Sequence, residues 1–408
     1  MDADQLSASE DTNRLYRFLL YIGIVVLAFN LRPAITSVGP LVGLIRDDVG
    51  LSNWSAGLIT SLPLLTFACV SPIAPKVGNR FSNERALLFG LLLLLFGIGI
   101  RSMTWVSLLY IGTFLVGIGI AFCNVLVPGA IKEKFPQKVE LMTGIYSVSM
   151  NGLAALASGL SIPIAIGLGA GWRVALLVWI IPVFLAVFIW IYLSRSRQKG
   201  GQANQEGVRY HEEQYDTRIW TSRVAWYVAL FMGFQSFLFY VTISWLPEIL
   251  VGYGTSIETG GWMLSYMQAV GLPFSFLVPV IAGRFKSQWW LVCILGALDI
   301  IGFSGLIFGD SYAVMVASVT LIGIGLGSGF PLALAFLGIR ARNARQASVL
   351  SGMAQSFGYL LAAVGPMIIG YVFDMVHTWV MPLAMMMGIA VCMILFGSLA
   401  GHDRYVGD

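Results

Sequence analysis

Residues 174–193 read Val-Ala-Leu-Leu-Val-Trp-Ile-Ile-Pro-Val-Phe-Leu-Ala-Val-Phe-Ile-Trp-Ile-Tyr-Leu, an apolar run without a single charge. At about 1.5 Å per residue, a helix of this length covers about 30 Å, the thickness of a bilayer's hydrocarbon core. A spanning strand needs only about 10 residues and alternates apolar with polar positions. This run does not alternate, so it reads as a membrane-spanning helix. Leu87–Ile100 and Val380–Leu399 are built in the same way.

The rest of the chain agrees. Of its 408 residues, 58% are hydrophobic and 11% charged, whereas soluble domains carry about 45–50% apolar and about 25% charged residues. Polar groups are too scarce to cover a water-facing surface, and the apolar content is too high for a disordered chain. Twelve apolar stretches occur, near 16–38, 54–75, 86–101, 105–131, 141–167, 173–194, 222–250, 258–282, 288–309, 311–339, 345–373 and 378–399. The expectation is an all-α membrane protein with the lipid bilayer as its solvent. The stretch Met1–Arg14 is acidic and lacks the basic start of a signal peptide, so the first run reads as a retained helix. Cys69, Cys123, Cys293 and Cys392 sit in apolar runs without metal-ligand spacing and read as small hydrophobes. His211, His377 and His402 fall in loops or the tail, which leaves no histidine in a span for metal binding or proton relay. Neither a metal nor a cofactor is implied.

Charge placement gives an orientation. With a cytoplasmic N-terminus, every Lys and Arg except Arg32, Arg46, Arg101 and Arg173 falls in a cytoplasmic segment. The positive-inside rule asks for this bias, and shifting the count by one helix scrambles it. Both termini are therefore expected inside, with Arg46, Arg101 and Arg173 in external loops. The formal net charge of +4 comes from the inner loops, so it gives no support to nucleic-acid binding.

The longest polar stretch, Ser194–Arg218, divides six spans from six. The two halves echo one another: Ser71, Pro75, Arg80 and Phe81 match Ser275, Pro279, Arg284 and Phe285, and Leu115–Phe122 resembles Leu321–Ser328. The resulting plan is an N-terminal tail (1–15), a six-helix bundle (16–194), a cytoplasmic linker (195–221), a second six-helix bundle (222–399) and a C-terminal tail (400–408). Two pseudo-symmetric bundles around a shared site are the pattern of a secondary transporter. Glycines crowd the fourth span (Gly112, Gly117, Gly119) and the tenth (Gly323, Gly325, Gly327, Gly329), where small faces allow close helix crossings.

The remaining polar residues nominate a site. Arg32 lies inside the first span, about six residues from its expected outer end at Val38. An arginine at that depth costs about 2.5–3.5 kcal/mol even on a lenient scale. Three readings are open: its guanidinium holds a substrate in a central cavity, it locks the outer end through Asp47 or Asp48, or it snorkels to lipid headgroups. Asn30 joins it on the first reading, through an irregular turn before Pro33. Thr143, Ser147 and Asn151 recur at helical spacing on the fifth span, and Ser351, Gln355 and Tyr359 on the eleventh. Asn124, Gln235, Tyr240 and Gln268 add further polar groups that must find partners away from lipid. With an aromatic rim of Tyr146, Phe239, Trp262 and Tyr266, the set describes a polar, largely uncharged centre suited to a small polar substrate. Asp299 is the one acid deep in a span; it reads either as a proton-coupling carboxyl or as a structural one.

From Arg32 outward, the residues Asn30-Leu-Arg-Pro-Ala-Ile-Thr-Ser-Val-Gly-Pro-Leu41, Ala56-Gly-Leu-Ile-Thr-Ser-Leu-Pro-Leu-Leu65, Ser71-Pro-Ile-Ala-Pro75 and Ile243-Ser-Trp-Leu-Pro-Glu248 resemble the major facilitator superfamily. Within it, the chain is similar to the bacterial cyanate/nitroimidazole (CynX/NimT-type) transporters. The resemblance covers the chain after Arg14. It implies twelve transmembrane helices in two bundles, a central cavity reached by alternating access, and a place in the bacterial inner membrane. The family's loop motif after the second span normally carries an aspartate where this chain has Asn79. Arg80 and Arg85 remain for an inner gate, with Arg284 their counterpart in the second half. The drug-antiporter signature on the fifth span is absent; Gly365-Pro366 occurs instead on the eleventh.

The leading expectation is a monomeric secondary transporter of a small anionic or nitro-bearing solute, with Arg32 as charge anchor and protons as a candidate coupling ion. The alternative is a proton-coupled exporter of drug-like organic molecules in which Arg32 shapes the gate. A channel or receptor fits the duplicated halves less well. Nothing in the chain resembles an enzyme's nucleophile pair or metal cluster.

Overall fold

In a chain solvated by lipid, each span must satisfy its own backbone, and helices do so without help. The computed structural model describes residues 16, 18–135, 139–200, 218–309, 311–342 and 344–407. Tail residues 1–15 and most of the expected linker lie outside them. Twelve helices among the described residues are long and apolar enough to cross a membrane, and the protein is a multi-pass, all-α membrane protein.

The first crossing and its continuation are made of three pieces: α1 (18–28), α2 (Pro33–Thr36) and α3 (Val38–Val49). Ser37 keeps helical dihedrals between α2 and α3, so the helix runs on to Val49. The apolar span itself covers Phe18–Thr36, close to the expected end at Val38, and Arg32 lies in its last turns. The second to sixth crossings are α4 (Asn53–Val70), α6 (Asn83–Arg101), α7 (Val106–Lys134), α8 (Val139–Ile162), and α9 (Gly171–Leu177) followed by α10 (Ile180–Gly200). The short α5 (Ala74–Phe81) follows α4, where one longer span was expected. A wide turn at Pro163–Gly167 ends α8. The short α11 (Arg218–Thr221) precedes the remaining six crossings. These are α12 (Arg223–Gly252), α13 (Ile257–Ala282), α14 (Trp289–Phe308), α15 (Tyr312–Ile339), α16 (Ala344–Val376) and α17 (Val380–Gly401). Ser52, Ser256 and Ser311 cap α4, α13 and α15, each side chain accepting a backbone N–H of the first turn.

The same pairings recur in each half. α6 packs on α7 and α10, and α4 on α7; correspondingly α14 packs on α15 and α17, and α13 on α15. Between halves, α4 meets α16, α8 meets α13, and α3 meets α12.

Hydrogen bonds that cross between the halves, with both partners described, all lie toward the face that the charge asymmetry assigns to the outside. Arg46 Nη1 donates to Asn53 Oδ1 (2.8 Å) and across the halves to Glu248 Oε2 (3.2 Å). Asn53 donates from its backbone N (3.2 Å) and Nδ2 (2.6 Å) to Asp374 Oδ1, and Trp54 N donates to Asp374 Oδ2 (2.9 Å). Deeper in, Ser244 Oγ donates to Thr60 Oγ1 (2.8 Å), Ser265 Oγ to the Ala155 carbonyl (2.7 Å) and Gln268 Nε2 to Ser158 Oγ (2.7 Å). Two glycines bring the backbones together here: a Cβ on Gly39 would collide with the Ile243 carbonyl, and one on Gly57 with the Pro366 carbonyl. An exposed ion pair contributes only about 0–1 kcal/mol, so closure rests on the whole half-buried network rather than on one bond.

The double substitution Glu248→Gln and Asp374→Asn is expected to loosen this outer closure. Spin labels at Met103 and Tyr312, both exposed near the outer ends of the two halves, with the native cysteines replaced, should show a longer-distance population by double electron–electron resonance. An unchanged distance distribution would contradict the assignment.

Candidate functional site

Pro33 sets the local geometry of the first crossing. It has no N–H to donate and disfavours helical backbone at the residue before it. The ladder tightens as Asn30 N bonds the Leu27 carbonyl (2.9 Å) and Leu31 N the Ala28 carbonyl (3.3 Å). It then restarts with Ile35 N and Thr36 N both donating to the Arg32 carbonyl (2.9 Å each). Arg32 thus stands in a break between two helical pieces.

Three neighbours hold the break. Asn30 Nδ2 donates to the Val26 carbonyl (2.6 Å) and to the Pro182 carbonyl of α10 (3.1 Å). Arg101 Nη1, from the end of α6, donates to the Ala34 carbonyl (2.6 Å). On the α8 side, Thr36 Oγ1 donates to the Ala154 carbonyl (3.1 Å), while Ser158 Oγ and Ser161 Oγ donate to the carbonyls of Thr36 (3.2 Å) and Ser37 (3.1 Å). Two expectations change. Asn30 faces α10 as a clamp on the break, and Arg101, expected in an external loop, is 1% exposed inside the bundle.

The Arg32 guanidinium is half-buried and points across the interface, its Cζ 5.1 Å from the ring centroid of Phe239 on α12. Tyr146 on α8, Tyr240 on α12 and Tyr359 on α16 belong to one packed cluster that also takes in Leu31 and Ala34, on either side of Arg32. Tyr146 donates to Asn124 Oδ1 on α7 (3.1 Å). Phe239 meets Tyr240 edge-on at 5.4 Å, and Phe67 of α4 meets Tyr359 in the same way at 5.4 Å. Arg32, Asn124, Tyr146, Phe239 and Tyr240 therefore converge from four crossings of both halves. Tyr359 and Phe67 complete the ring. Tyr359 was legible only as the third member of the Ser351–Gln355–Tyr359 face, and nothing in its spacing singled it out.

The other nominated residues have different neighbours. The acids considered as locks for Arg32 are engaged elsewhere: Asp47 pairs with Arg46 (2.9 Å), and Asp48 accepts from Trp172 Nε1 and Arg173 Nη2 (3.0 Å each). Gln235 is fully buried; its Nε2 donates to Ser236 Oγ (2.6 Å), and its Oε1 lies against Gly329 of α15. Gln268 bonds Ser158 of α8, and Gln355 Nε2 donates to Ser351 Oγ (2.8 Å) along its own helix. Asn151 is half-buried on α8. Trp262 lies on Gly159 and is 44% exposed, while the Tyr266 hydroxyl pairs with Thr320 Oγ1 (3.0 Å) and that side chain is 40% exposed. The aromatic surround of Arg32 is therefore Phe239 with the three tyrosines, and Trp262 and Tyr266 engage α8 and α15. Arg80, Arg85 and Arg284 are exposed, with Arg80 over the neighbouring Phe81 ring at 5.4 Å. A buried acid near them, Glu84, is bridged by Lys134 at 2.9 Å.

At the outer end, burial opposes the charge on Arg46, yet its bond to Asp47 and the charge of Glu248 outweigh this and hold its pKa above the ordinary value. Asp299 is fully buried between α14 and α15, with Oδ1 against Gly325 and neither oxygen hydrogen-bonded.

Comparison with known proteins places this geometry among transporters. Residues 20–366 match the family model described as Major Facilitator Superfamily. The chain is 47% identical over 393 residues to an uncharacterized transporter, YycB, of Bacillus subtilis (strain 168), covering 96% of each. It is 39% identical over 390 residues to the 2-nitroimidazole transporter of Escherichia coli (strain K12), covering 96% of this chain and 97% of that one. Among solved structures, it shares the fold of a bacterial homolog of the human lysosomal transporter Spinster. The TM-score there is 0.72 at 17% identity, with 95% of each chain covered.

Asp299→Asn is expected to unfold no earlier than the parent protein, within about 2 °C, in thermal melts of detergent-solubilised protein. The amide matches the carboxyl in shape, and no cation pairs with Asp299 among the described residues. A substantially earlier melt would show that the acid itself is needed there.

Proposed function

The chain belongs to the Major Facilitator Superfamily, which makes it a membrane transporter rather than an enzyme, and we propose that it moves a small anionic or nitro-bearing solute by alternating access. The observation that carries this reading is the position of Arg32: a guanidinium in a break of the first membrane span, aimed at an aromatic ring of the opposite half. Among the described residues no carboxylate is paired with it. A cation without a counter-charge in a medium of low dielectric attracts an anion strongly, and the planar fork of arginine matches a planar carboxylate-like or nitro group with two parallel hydrogen bonds. Phe239, Tyr240, Tyr146 and Tyr359 supply ring faces and hydroxyl donors for a small flat molecule. The name of the 2-nitroimidazole transporter, 39% identical, supports the nitro-bearing class.

The outer network favours a conformation closed toward the outside, with Arg80, Arg85 and Arg284 exposed at the opposite face. In this reading the termini are cytoplasmic, the membrane is the bacterial inner membrane and the monomer is the working unit. The exchange of outer for inner closure moves the solute past Arg32, and protons are a candidate coupling ion.

Purified protein in proteoliposomes is expected to take up or exchange radiolabelled 2-nitroimidazole, cyanate or nitrate, measured with and without an imposed pH gradient. Arg32→Ala should lower that transport on the order of a hundredfold, the usual cost of removing a buried charge from a paired contact, and Arg32→Lys should keep part of it. Transport by Arg32→Ala at the parent rate would refute the anchor.

A further inference from the structure

Arg32 and Arg101 both sit at the break in the first crossing, and the role of Arg32 leaves Arg101 unexplained. Arg101 is 1% exposed. Its Nη1 donates to the Ala34 carbonyl at 2.6 Å, while Nε and Nη2 have no partner. It is fixed from the other side by α7, where Gly112 lies directly against the backbone and Cβ of Arg101. A buried guanidinium with idle donors is generally less favourable than an apolar side chain of similar volume. A methionine would pack there without that cost, so the bond to Ala34 is the specific thing arginine supplies.

Ala34 is separated from Arg32 only by Pro33, whose ring fixes φ and leaves the segment stiff. A clamp on Ala34 therefore sets the point from which the Arg32 side chain starts. α8 holds the following residues through Thr36 and Ser37, and α10 holds the preceding turn through Asn30. Of the three clamps, Arg101 acts nearest to Arg32 on the α2 side, and it alone uses a charged donor, the stronger kind.

We propose that Arg101 is a positioning residue: by holding the Ala34 carbonyl it presents the Arg32 guanidinium to the solute over Phe239, without touching the solute itself. The consequence for transport rests on the function proposed above; the consequence for Arg32 geometry does not.

Two measurements test it. In proteoliposomes with radiolabelled 2-nitroimidazole, Arg101→Met should raise the half-saturation concentration about tenfold while the maximum rate stays within about twofold, and Arg101→Lys should recover most of the loss. A purely structural role predicts the opposite split, with a lower maximum rate and unchanged half-saturation, and would overturn the proposal. The second measurement needs no solute. Arg32→Cys, in a chain with its native cysteines replaced, is titrated with a small cationic methanethiosulfonate reagent, with and without Arg101→Met. The reaction rate should fall about tenfold when the clamp is removed; an unchanged rate overturns the proposal. If Arg101→Met does not fold, Arg101→Lys takes its place in the thiol assay, where a smaller fall in rate is expected and no fall overturns it. If the parent protein carries neither 2-nitroimidazole, cyanate nor nitrate, the solute reading fails while the thiol rates still decide the role of Arg101.

Discussion

In hydrocarbon, every backbone N–H and C=O must find its partner inside the protein, and the first crossing cannot meet that demand alone. Pro33 interrupts its ladder within the span, next to an arginine whose charge is itself expensive in lipid. Neighbouring crossings hold the break in place: Asn30 reaches α10, Arg101 reaches in from α6, and α8 contributes Ser158 and Ser161. Those three helices surround the break because the bundle packs them there. The site and the fold therefore depend on the same set of contacts.

Polar groups in this protein divide by the work they do. One class ties helices together: Ser244 with Thr60, Trp245 Nε1 with the Pro366 carbonyl (2.9 Å), and Arg340 with the Gly401 carbonyl (3.0 Å). The other class leaves capacity open toward the centre, and Arg32 is its chief member. The distinction matters because a residue engaged with backbone on every side has nothing left for a solute. Asn30 and Gln268 spend amide N–H donors on neighbouring helices, whereas the Arg32 guanidinium meets a ring face across the interface.

The clamp at Ser158 ties the halves together through the break. Ser158 donates to the Thr36 carbonyl and accepts from Gln268 of the second half. A rocking motion that separates α8 from α13 must break the second bond, and the first leads straight to the segment carrying Arg32. The proposed solute site and the closing surface are thus joined by a short series of hydrogen bonds, a physical route by which occupancy and closure can bias one another.

Much of the architecture was legible without coordinates. Uninterrupted runs such as Val174–Leu193 dictate helices because lipid leaves the backbone no other partner. Arg32 stood out because a charge at that depth demands an explanation. The sequence could not show where a side chain points once a proline breaks its helix, since the direction depends on distant clamps. It gave Asn30 and Arg32 the same prominence, yet the fold turns one toward α10 and the other toward Phe239. It placed Arg101 in a loop because end-of-run arginines usually meet water; only packing against Gly112 and Ala34 draws it inside. Local chemistry decides which segments enter the membrane, and long-range packing decides which of their polar groups remain free to bind.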